Sequence, residues 1–314
     1  MSWAEHTLLR LQRWLPRRWR LMADTLPPPG TPQAAARCGT WAVAWASHTG
    51  PHHLNQDCAG ARWCRIGHGH GHGHGHGHGL AAAVADGVTQ GAAGDVAARA
   101  LVEHWLQGPR LRQGQPSFLG AAEAAVAGAL RQFTPEPGAA TGAACWLQPD
   151  GSGWATRVGD CRLLRVTLPA QPWATAPWAV QPLLPDQTYA NLWHQGLGPA
   201  PHGDDAQQPA RMVGVGKLGE PEWIPLTLGA GELLLLVSDG LHSVLSDDDW
   251  QAVLGSHFGA RPSQWPDPAQ PQDTLLGLAR LLIQTAIQRG SEDDITVLAV
   301  GCCTTSAQQE QPVP

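Results

Sequence analysis

The chain has 314 residues, of which 43% are hydrophobic and 15% charged, with a net charge of −6. This length suits one large domain or two small ones, and no apolar run approaches the about 18 residues that a membrane span needs. Residues 1–22 hold five arginines against one glutamate, a local charge of +4, so the remainder carries −10. An acidic body disfavours nucleic acid as the main partner.

The seven cysteines are odd in number, lack CxxC spacing and follow no secretory signal. Free thiols in a reducing cytoplasm are the simplest interpretation, because disulfides persist mainly in oxidising compartments. We therefore expect a cytoplasmic protein. The oligomeric state is left open.

The first 37 residues are expected to be disordered. Residues 1–22 mix leucines and tryptophans with the arginines, as in a basic arm that contacts a membrane surface or a partner. A frayed arm or a misplaced start codon explains the same residues, and this simpler interpretation is preferred. A Pro-rich linker follows to residue 37. The folded domain is predicted over 38–301, with a polar, disordered tail at 302–314.

Two strands and a repetitive loop are predicted next. Trp41–Trp45 has the alternation of a half-buried strand, and Ala59–Ile66 is predicted as a second strand, giving a hairpin that leads into the loop. The loop 67–79 holds six His-Gly repeats. Imidazoles bind Ni²⁺ and Zn²⁺, but alternating glycines hold no geometry, so we expect adventitious binding and explain the tract by slippage expansion.

The order of the remaining elements indicates a layered α+β domain and not a run of βαβ units. A flap is predicted at about 169–220, which is rich in Pro, Gln and Gly, and a capping box is predicted at Ser246 and Asp249. Helices are predicted at Gly91–Leu106, Pro116–Phe133 and Asp273–Gln288, and strands at Thr141–Leu147, Trp154–Val158, Arg162–Thr167, Glu232–Val237 and Ile295–Val300.

Carboxylates stand at the ends of several predicted strands. Asp86 and Asp239 each follow a short apolar run and precede glycine, and Asp293 and Asp294 precede the closing strand. Such carboxylates can converge at one sheet edge, where they would repel one another without a counter-ion. Hard divalent cations prefer oxygen ligands, and a pair of them can activate water and clamp a phosphoryl group.

Six ordered motifs between about Cys38 and Gly301 resemble those of the metal-dependent protein serine/threonine phosphatases, the PPM family. The motifs are Asn55-Gln56-Asp57, Val84-Ala85-Asp86-Gly87, Ala140-Thr141-Gly142, Val158-Gly159-Asp160-Cys161-Arg162, Leu236-Val237-Ser238-Asp239-Gly240-Leu241 and Asp293-Asp294-Ile295-Thr296-Val297. The resemblance implies a central β-sandwich of two antiparallel sheets with helices on both faces, a four-layer αββα arrangement. It also implies hydrolysis of phosphoserine or phosphothreonine by water activated on two Mn²⁺ or Mg²⁺ ions.

The resemblance also implies a metal-ligand set. Asp86 would bridge the two ions, with the Gly87 carbonyl on one of them, and Asp239 and Asp293 would hold the other. Asp160 would support a third, weaker ion. The implied partners are a phosphorylated protein substrate and a cognate serine/threonine kinase.

Catalytic and substrate-binding roles follow from the same resemblance. Asp57 and Gln56 would orient waters around the metal ions. His52 stands where the family commonly has a phosphate-clamping Arg, with His53 beside it, and both are predicted to bind substrate. A neutral imidazole offers one donor and no fork, so phosphate affinity is expected to be weaker.

Other departures from the family pattern keep alternatives open. Asp294 stands where the family usually has Asn, Cys161 replaces the usual Ser, and Val88-Thr89-Gln90 supplies no general-acid histidine. One alternative is therefore a weak or inactive phosphatase-like domain that binds phosphoproteins as a regulatory module. Another is a His-rich metal buffer, which would not need the aspartates.

Overall fold

The computed structural model describes residues 26–51, 54–65, 78–88, 92–107, 117–167, 178–216, 218–219, 222–259 and 270–303. These ranges do not include the basic arm, most of the His-Gly tract, His52 or His53. What the sequence predicts for those residues therefore stays a prediction. No helix in the described ranges is long and apolar enough to cross a membrane.

The strands form two antiparallel sheets. They are β1 (Gln33–Cys38), β2 (Trp41–His48), β3 (Cys58–Arg65), β4 (His78–Gly87), β5 (Ala140–Leu147), β6 (Ser152–Val158), β7 (Arg162–Thr167), β8 (Ala179–Pro182), β9 (Glu222–Thr227), β10 (Glu232–Val237) and β11 (Ile295–Cys302). The first sheet has the order β1-β2-β11-β10-β7-β8 and the second β3-β4-β5-β6-β9.

Helices cover both outer faces of the sandwich. They are α1 (Gly94–Leu106), α2 (Ser117–Phe133), α3 (Tyr189–His194), α4 (Asp239–His242), α5 (Asp247–Phe258) and α6 (Pro271–Gln288), with a 3₁₀ helix at Gly203–Gln207. Helices α5 and α6 pack on the first sheet, and α1 and α2 pack on the second. The predicted four-layer α+β architecture is confirmed.

Burial on both faces explains the apolar runs that the sequence shows. In β10, Leu233 and Leu235 pack against α5 and α6, whereas Leu234 and Leu236 pack between the two sheets. The strand β4 alternates in the same way between the helices α1 and α2 and the inter-sheet core. A strand buried on both faces has no polar positions, so it forms a continuous apolar run.

The domain begins earlier than predicted. The expected linker is wrong for residues 33–37, because β1 pairs along its whole length with β2. Residues ahead of it are anchored too: the Trp45 indole N–H donates to the Thr31 carbonyl at 2.9 Å, and the Gly30 N–H donates to the Ala59 carbonyl at 3.0 Å. An alanine-rich edge strand lacks the large alternating side chains that mark a strand in a sequence.

The predicted boundaries of the flap, the His-Gly loop and the tail also change. The flap is narrower, because Ala179–Pro182 pairs with β7 as the edge strand β8. The strand β9 then pairs with β6. His78 and Gly79 belong to β4, so they are not part of the loop, and β11 extends one residue into the predicted tail, through Cys302.

The predicted capping box at the start of α5 is present and also joins two helices. Asp249 Oδ2 accepts hydrogen bonds from the Ser246 N–H at 3.0 Å and the Ser246 hydroxyl at 2.7 Å. Its Oδ1 accepts from Arg289, which follows α6, with Nε at 2.8 Å. The bond from Arg289, with those from Ser246, lowers the pKa of Asp249 to about 2.

Replacing Asp249 by Asn should lower the urea midpoint of unfolding at pH 7. The folded pKa lies below the ordinary value of 3.8, so the carboxylate stabilises the fold above that value and the effect is lost as pH falls towards about 2. The difference in urea midpoint between the unaltered chain and Asp249→Asn should therefore become smaller as the pH falls from 4 to 2. A difference that stays constant over this range would contradict the assignment.

Candidate metal centre

Antiparallel pairing brings the predicted carboxylates to one end of the sandwich. Asp86 lies at the end of β4, and Asp57 immediately precedes its neighbour β3. Asp239 follows β10, and Asp293 comes shortly before β11, the antiparallel neighbour of β10. Asp160 lies in the turn from β6 to β7. Both sheets therefore contribute carboxylates to the same end.

These carboxyl groups act on one another electrostatically. Burial raises the pKa of Asp86 well above its usual range, and the charges of Asp239, Asp57, Asp160 and Asp293 raise it further. Burial also raises the pKa of Asp57 to about 8, of Asp239 to about 7 and of Asp160 to about 6. Without a positive partner, several of these groups would be protonated near neutral pH.

Several oxygens at this end are buried without a hydrogen-bond partner. They are Gln56 Oε1, Asp57 Oδ1, Asp160 Oδ1 and Asp239 Oδ1. Buried acceptors normally find a donor, so such a group calls for an explanation. Oxygen-only donors with surplus negative charge suit Mg²⁺ or Mn²⁺. In the described part of the chain no three acidic, His or Cys side chains are already drawn together as a metal-ligand group, so the fit rests on donor chemistry.

A hydrogen-bonded network holds the carboxylate of Asp57. The Ser238 hydroxyl donates to Asp57 Oδ2 at 2.7 Å, and the Thr296 N–H donates to the Ser238 oxygen at 2.9 Å. The Asp57 N–H donates to Asn55 Oδ1 at 2.9 Å. Ser238 was missed as a functional residue, although it directly precedes Asp239 in the motif. Its bond fixes one oxygen of Asp57, and the other oxygen is buried without a partner.

Two glycines allow the close contacts on which the site depends. A Cβ on Gly87 would clash with the backbone of Gly94 at the start of α1, and a Cβ on Gly240 would clash with the Asp294 carbonyl. The Gly87 N–H also donates to the Gln56 carbonyl at 3.2 Å. The Asp-Gly pairs are therefore required by packing as well as by turn formation.

The structure distinguishes the two members of the acidic doublet. Both oxygens of Asp294 accept backbone N–H groups, from Gly50 at 2.8 Å and Gln56 at 2.6 Å, and only 3% of the residue is exposed. Asp293 is exposed, and its charge raises the pKa of Asp86 and Asp239. Asp294 is therefore occupied in holding the backbone, which favours Asp293 as the ligand.

The turn that carries Asp160 is fixed from two sides. Gln187 accepts the Gly159 N–H through Oε1 at 2.8 Å and donates its own N–H to the Gly159 carbonyl at 2.9 Å. His242 Nε2 lies 3.0 Å from the Asp160 carbonyl. Burial lowers the pKa of His242 to about 4, so the ring is neutral and donates through Nε2. Neither contact has a local signature in the sequence, because Gln187 and His242 lie 28 and 82 residues from their partners.

An ion-pair network attaches the flap beside this turn. Asp186 accepts from Arg162, with Nη2 at 2.7 Å, and from Arg157, with Nη1 at 3.2 Å. The side chain of Arg157 is fully buried and also lies 3.5 Å from a Glu222 oxygen. A buried charge is tolerated when it is paired in this way. The flap segment around Asp186 is therefore anchored on the same end of the sandwich.

Most of the predicted site residues are brought together at this end of the sandwich. The residues that lie there are Gln56, Asp57, Asp86, Gly87, Asp160, Asp239 and Asp293. Roles for these residues remain proposals. His52 and His53 lie between Gly50 and Gln56 in sequence and outside the described residues, so their predicted contact with substrate stays a prediction.

Comparisons with known proteins identify the fold. No protein-family model and no curated protein matches the chain. Among solved structures, the PPM Ser-Thr phosphatase MsPP from Mycobacterium smegmatis, in complex with cacodylate, is 22% identical with a TM-score of 0.55, covering 84% of this chain and 100% of MsPP.

Two further solved structures agree with this result. The catalytic domain of the serine threonine protein phosphatase PstP, in complex with two manganese ions, is 20% identical with a TM-score of 0.55, covering 84% of this chain and 99% of that domain. The serine/threonine phosphatase Stp1 from Staphylococcus aureus is 17% identical with a TM-score of 0.54, covering 82% and 94%. The chain therefore has the fold of the bacterial PPM-type Ser-Thr phosphatases.

Proposed function

We propose that this chain is a metal-dependent phosphatase that hydrolyses phosphoserine and phosphothreonine in proteins. The observation that carries the proposal is the convergence of buried carboxylates with unpartnered oxygens, from Asp57, Asp160 and Asp239, at one end of the sandwich. The shared fold supports the proposal, because its neighbours are Ser-Thr phosphatases. A kinase that phosphorylates the same protein must supply the substrate.

The acidic cluster would hold the metal ions. Asp86, the Gly87 carbonyl, Asp239 and Asp293 are the proposed ligands of two Mn²⁺ or Mg²⁺ ions, with Asp160 at a third, weaker site. The PstP structure, which contains two manganese ions, supports the proposal of two metal ions. When bound, such ions lower the pKa of water and stabilise the charge that develops on a phosphoryl group.

Asp57 and Gln56 are the proposed catalytic residues. Ser238 holds one oxygen of Asp57, so Oδ1 of Asp57 and Oε1 of Gln56 remain as acceptors for the hydrogens of an attacking water. Burial raises the pKa of Asp57 to about 8 in the metal-free chain. Bound cations would lower this pKa, so that the ionised carboxylate would accept a hydrogen bond from the water near neutral pH. The chain thus orients the nucleophile through fixed acceptors and leaves the substrate phosphate to His52 and His53.

The two alternatives make distinct predictions. A regulatory module would bind metal and a phosphoprotein without turnover, and the comparisons do not favour it. A metal buffer would depend on the His-Gly tract and would lose its function when residues 68–79 are deleted. The metal buffer does not explain why acceptors on two sheets converge.

Mn²⁺ should raise the melting temperature of the chain, by roughly 5 °C at a hundredfold excess over Kd, because the ion binds only the folded acidic cluster. In Asp239→Asn the metal-free form should melt higher, since a repelling charge is removed, and the Mn²⁺ shift should shrink. Asp248→Asn, the same change at an exposed position on α5, is the matched control. Equal Mn²⁺ shifts in all three chains would exclude the site.

The unaltered chain with Mn²⁺ should release phosphate from a phosphothreonine peptide. Loss of a residue that only supports a metal ligand costs roughly 10–100-fold in activity. Asp239→Asn removes a proposed ligand itself and should lower kcat/KM by more than this. Asp248→Asn should match the unaltered chain. Turnover that persists in Asp239→Asn would contradict the proposal, and so would the absence of turnover by the unaltered chain with any divalent ion.

His52→Arg should lower KM for the same peptide by roughly tenfold, because a guanidinium can make a bidentate, charge-assisted pair with phosphate. His52→Ala separates this gain from the loss of the imidazole and should raise KM. Equal KM values for His52→Arg and His52→Ala would show that residue 52 does not contact the phosphate.

A further inference from the structure

The carboxylate of Asp294 ties together the two ends of the loop that precedes Asp57. Oδ1 accepts the Gly50 N–H at 2.8 Å, and Oδ2 accepts the Gln56 N–H at 2.6 Å. Hydrogen bonds to a carboxylate are about twice as strong as neutral ones, and shielding from water strengthens them further. Asp294 therefore fixes both residues relative to the start of β11.

Gln56 is held at its backbone on both sides. Its N–H is bound by Asp294, and its carbonyl accepts the Gly87 N–H at 3.2 Å. Its side chain lies against the start of α1, where a Cβ on Gly94 would be 3.1 Å from Gln56 Cδ. The backbone is thus fixed between β11 and the Asp86-Gly87 turn, while the buried Oε1 has no partner.

We infer that Asp294 is a positioning residue that sets the place of Gln56 Oε1, an inference that rests on the proposed function. Asp294 acts through the Gln56 backbone and does not contact the reacting atoms. Two N–H groups converge on it, and only a carboxylate offers an acceptor to each. Asparagine, which the family usually has here, has the same shape but turns one acceptor into an NH₂ donor. In this chain that donor would face an N–H and break one of the two bonds.

Asp294→Asn should lower kcat for a phosphothreonine peptide by about tenfold or more, because a displacement near 1 Å of a positioned group can cost about 100-fold. The Mn²⁺-induced rise in melting temperature should stay unchanged, since Asp294 binds no metal. KM should rise as well, because Asp294 also holds Gly50, two residues before the proposed substrate-binding residue His52. Asp248→Asn is the matched control and should equal the unaltered chain. An unchanged kcat in Asp294→Asn overturns the inference.

A double-mutant cycle tests whether the effect passes through Gln56. In a Gln56→Ala background, Asp294→Asn should lower kcat by less than about twofold, because the group that it positions is absent. Equal losses in both backgrounds would show a general structural effect and overturn the inference. Asp294→Glu keeps both acceptors and should retain a higher kcat than Asp294→Asn. A lower kcat in Asp294→Glu would also overturn the inference. If Asp294→Asn does not fold, Asp294→Glu is compared with the unaltered chain instead.

Amide hydrogen exchange separates this inference from the proposed function. Exchange at the Gln56 and Gly50 N–H groups should be at least about tenfold faster in Asp294→Asn, with the middle of β4 unaffected, whether or not the chain is active. Absence of turnover in the unaltered chain would refute the phosphatase. Unchanged protection at Gln56 would refute the role of Asp294.

Discussion

The structure depends on a concentration of negative charge that burial makes unfavourable. Burial raises the pKa of Asp86, and the charges of Asp239, Asp57 and Asp160 raise it further, because the apolar sandwich keeps water from screening them. A fold keeps such an arrangement only where something offsets the repulsion. Divalent cations would do so and would also supply the chemistry that phosphate hydrolysis needs. Bound cations would therefore account both for the buried negative charge and for the proposed function.

The fold holds this cluster rigidly because its strands are buried on both faces. The helices cover one face of β4 and β10, and the opposite sheet covers the other. Asp86 and Asp239 are thus placed at the ends of strands that are buried on both faces. The loop carrying Gln56 and Asp57 leads into β3 of the second sheet and is attached to the first sheet through Ser238 and Asp294. The core therefore sets the positions of Asp86 and Asp239, whereas the flap, through Gln187, helps to hold the turn that carries Asp160.

The sequence revealed those features that leave a local pattern. Burial on both faces makes β10 a continuous apolar run, so the Asp239-Gly240 exit from it was visible, and the capping box of Asp249 is a four-residue signal. The edge strand β1 was missed because its alanines are neither large nor alternating. The roles of Ser238 and Asp294 were missed because their partners lie 181 and 238–244 residues away in the chain. Such contacts arise only from the tertiary fold.

The stoichiometry of bound Mn²⁺ tests the central claim most directly. Electron paramagnetic resonance of free Mn²⁺ during titration would count the ions held by the unaltered chain and by Asp86→Asn, with Asp248→Asn as control. Two ions per chain are predicted for the unaltered and control chains, and loss of both in Asp86→Asn, whose carboxylate is proposed to bridge them. Equal binding by all three chains, or no binding by the unaltered chain, would contradict the account.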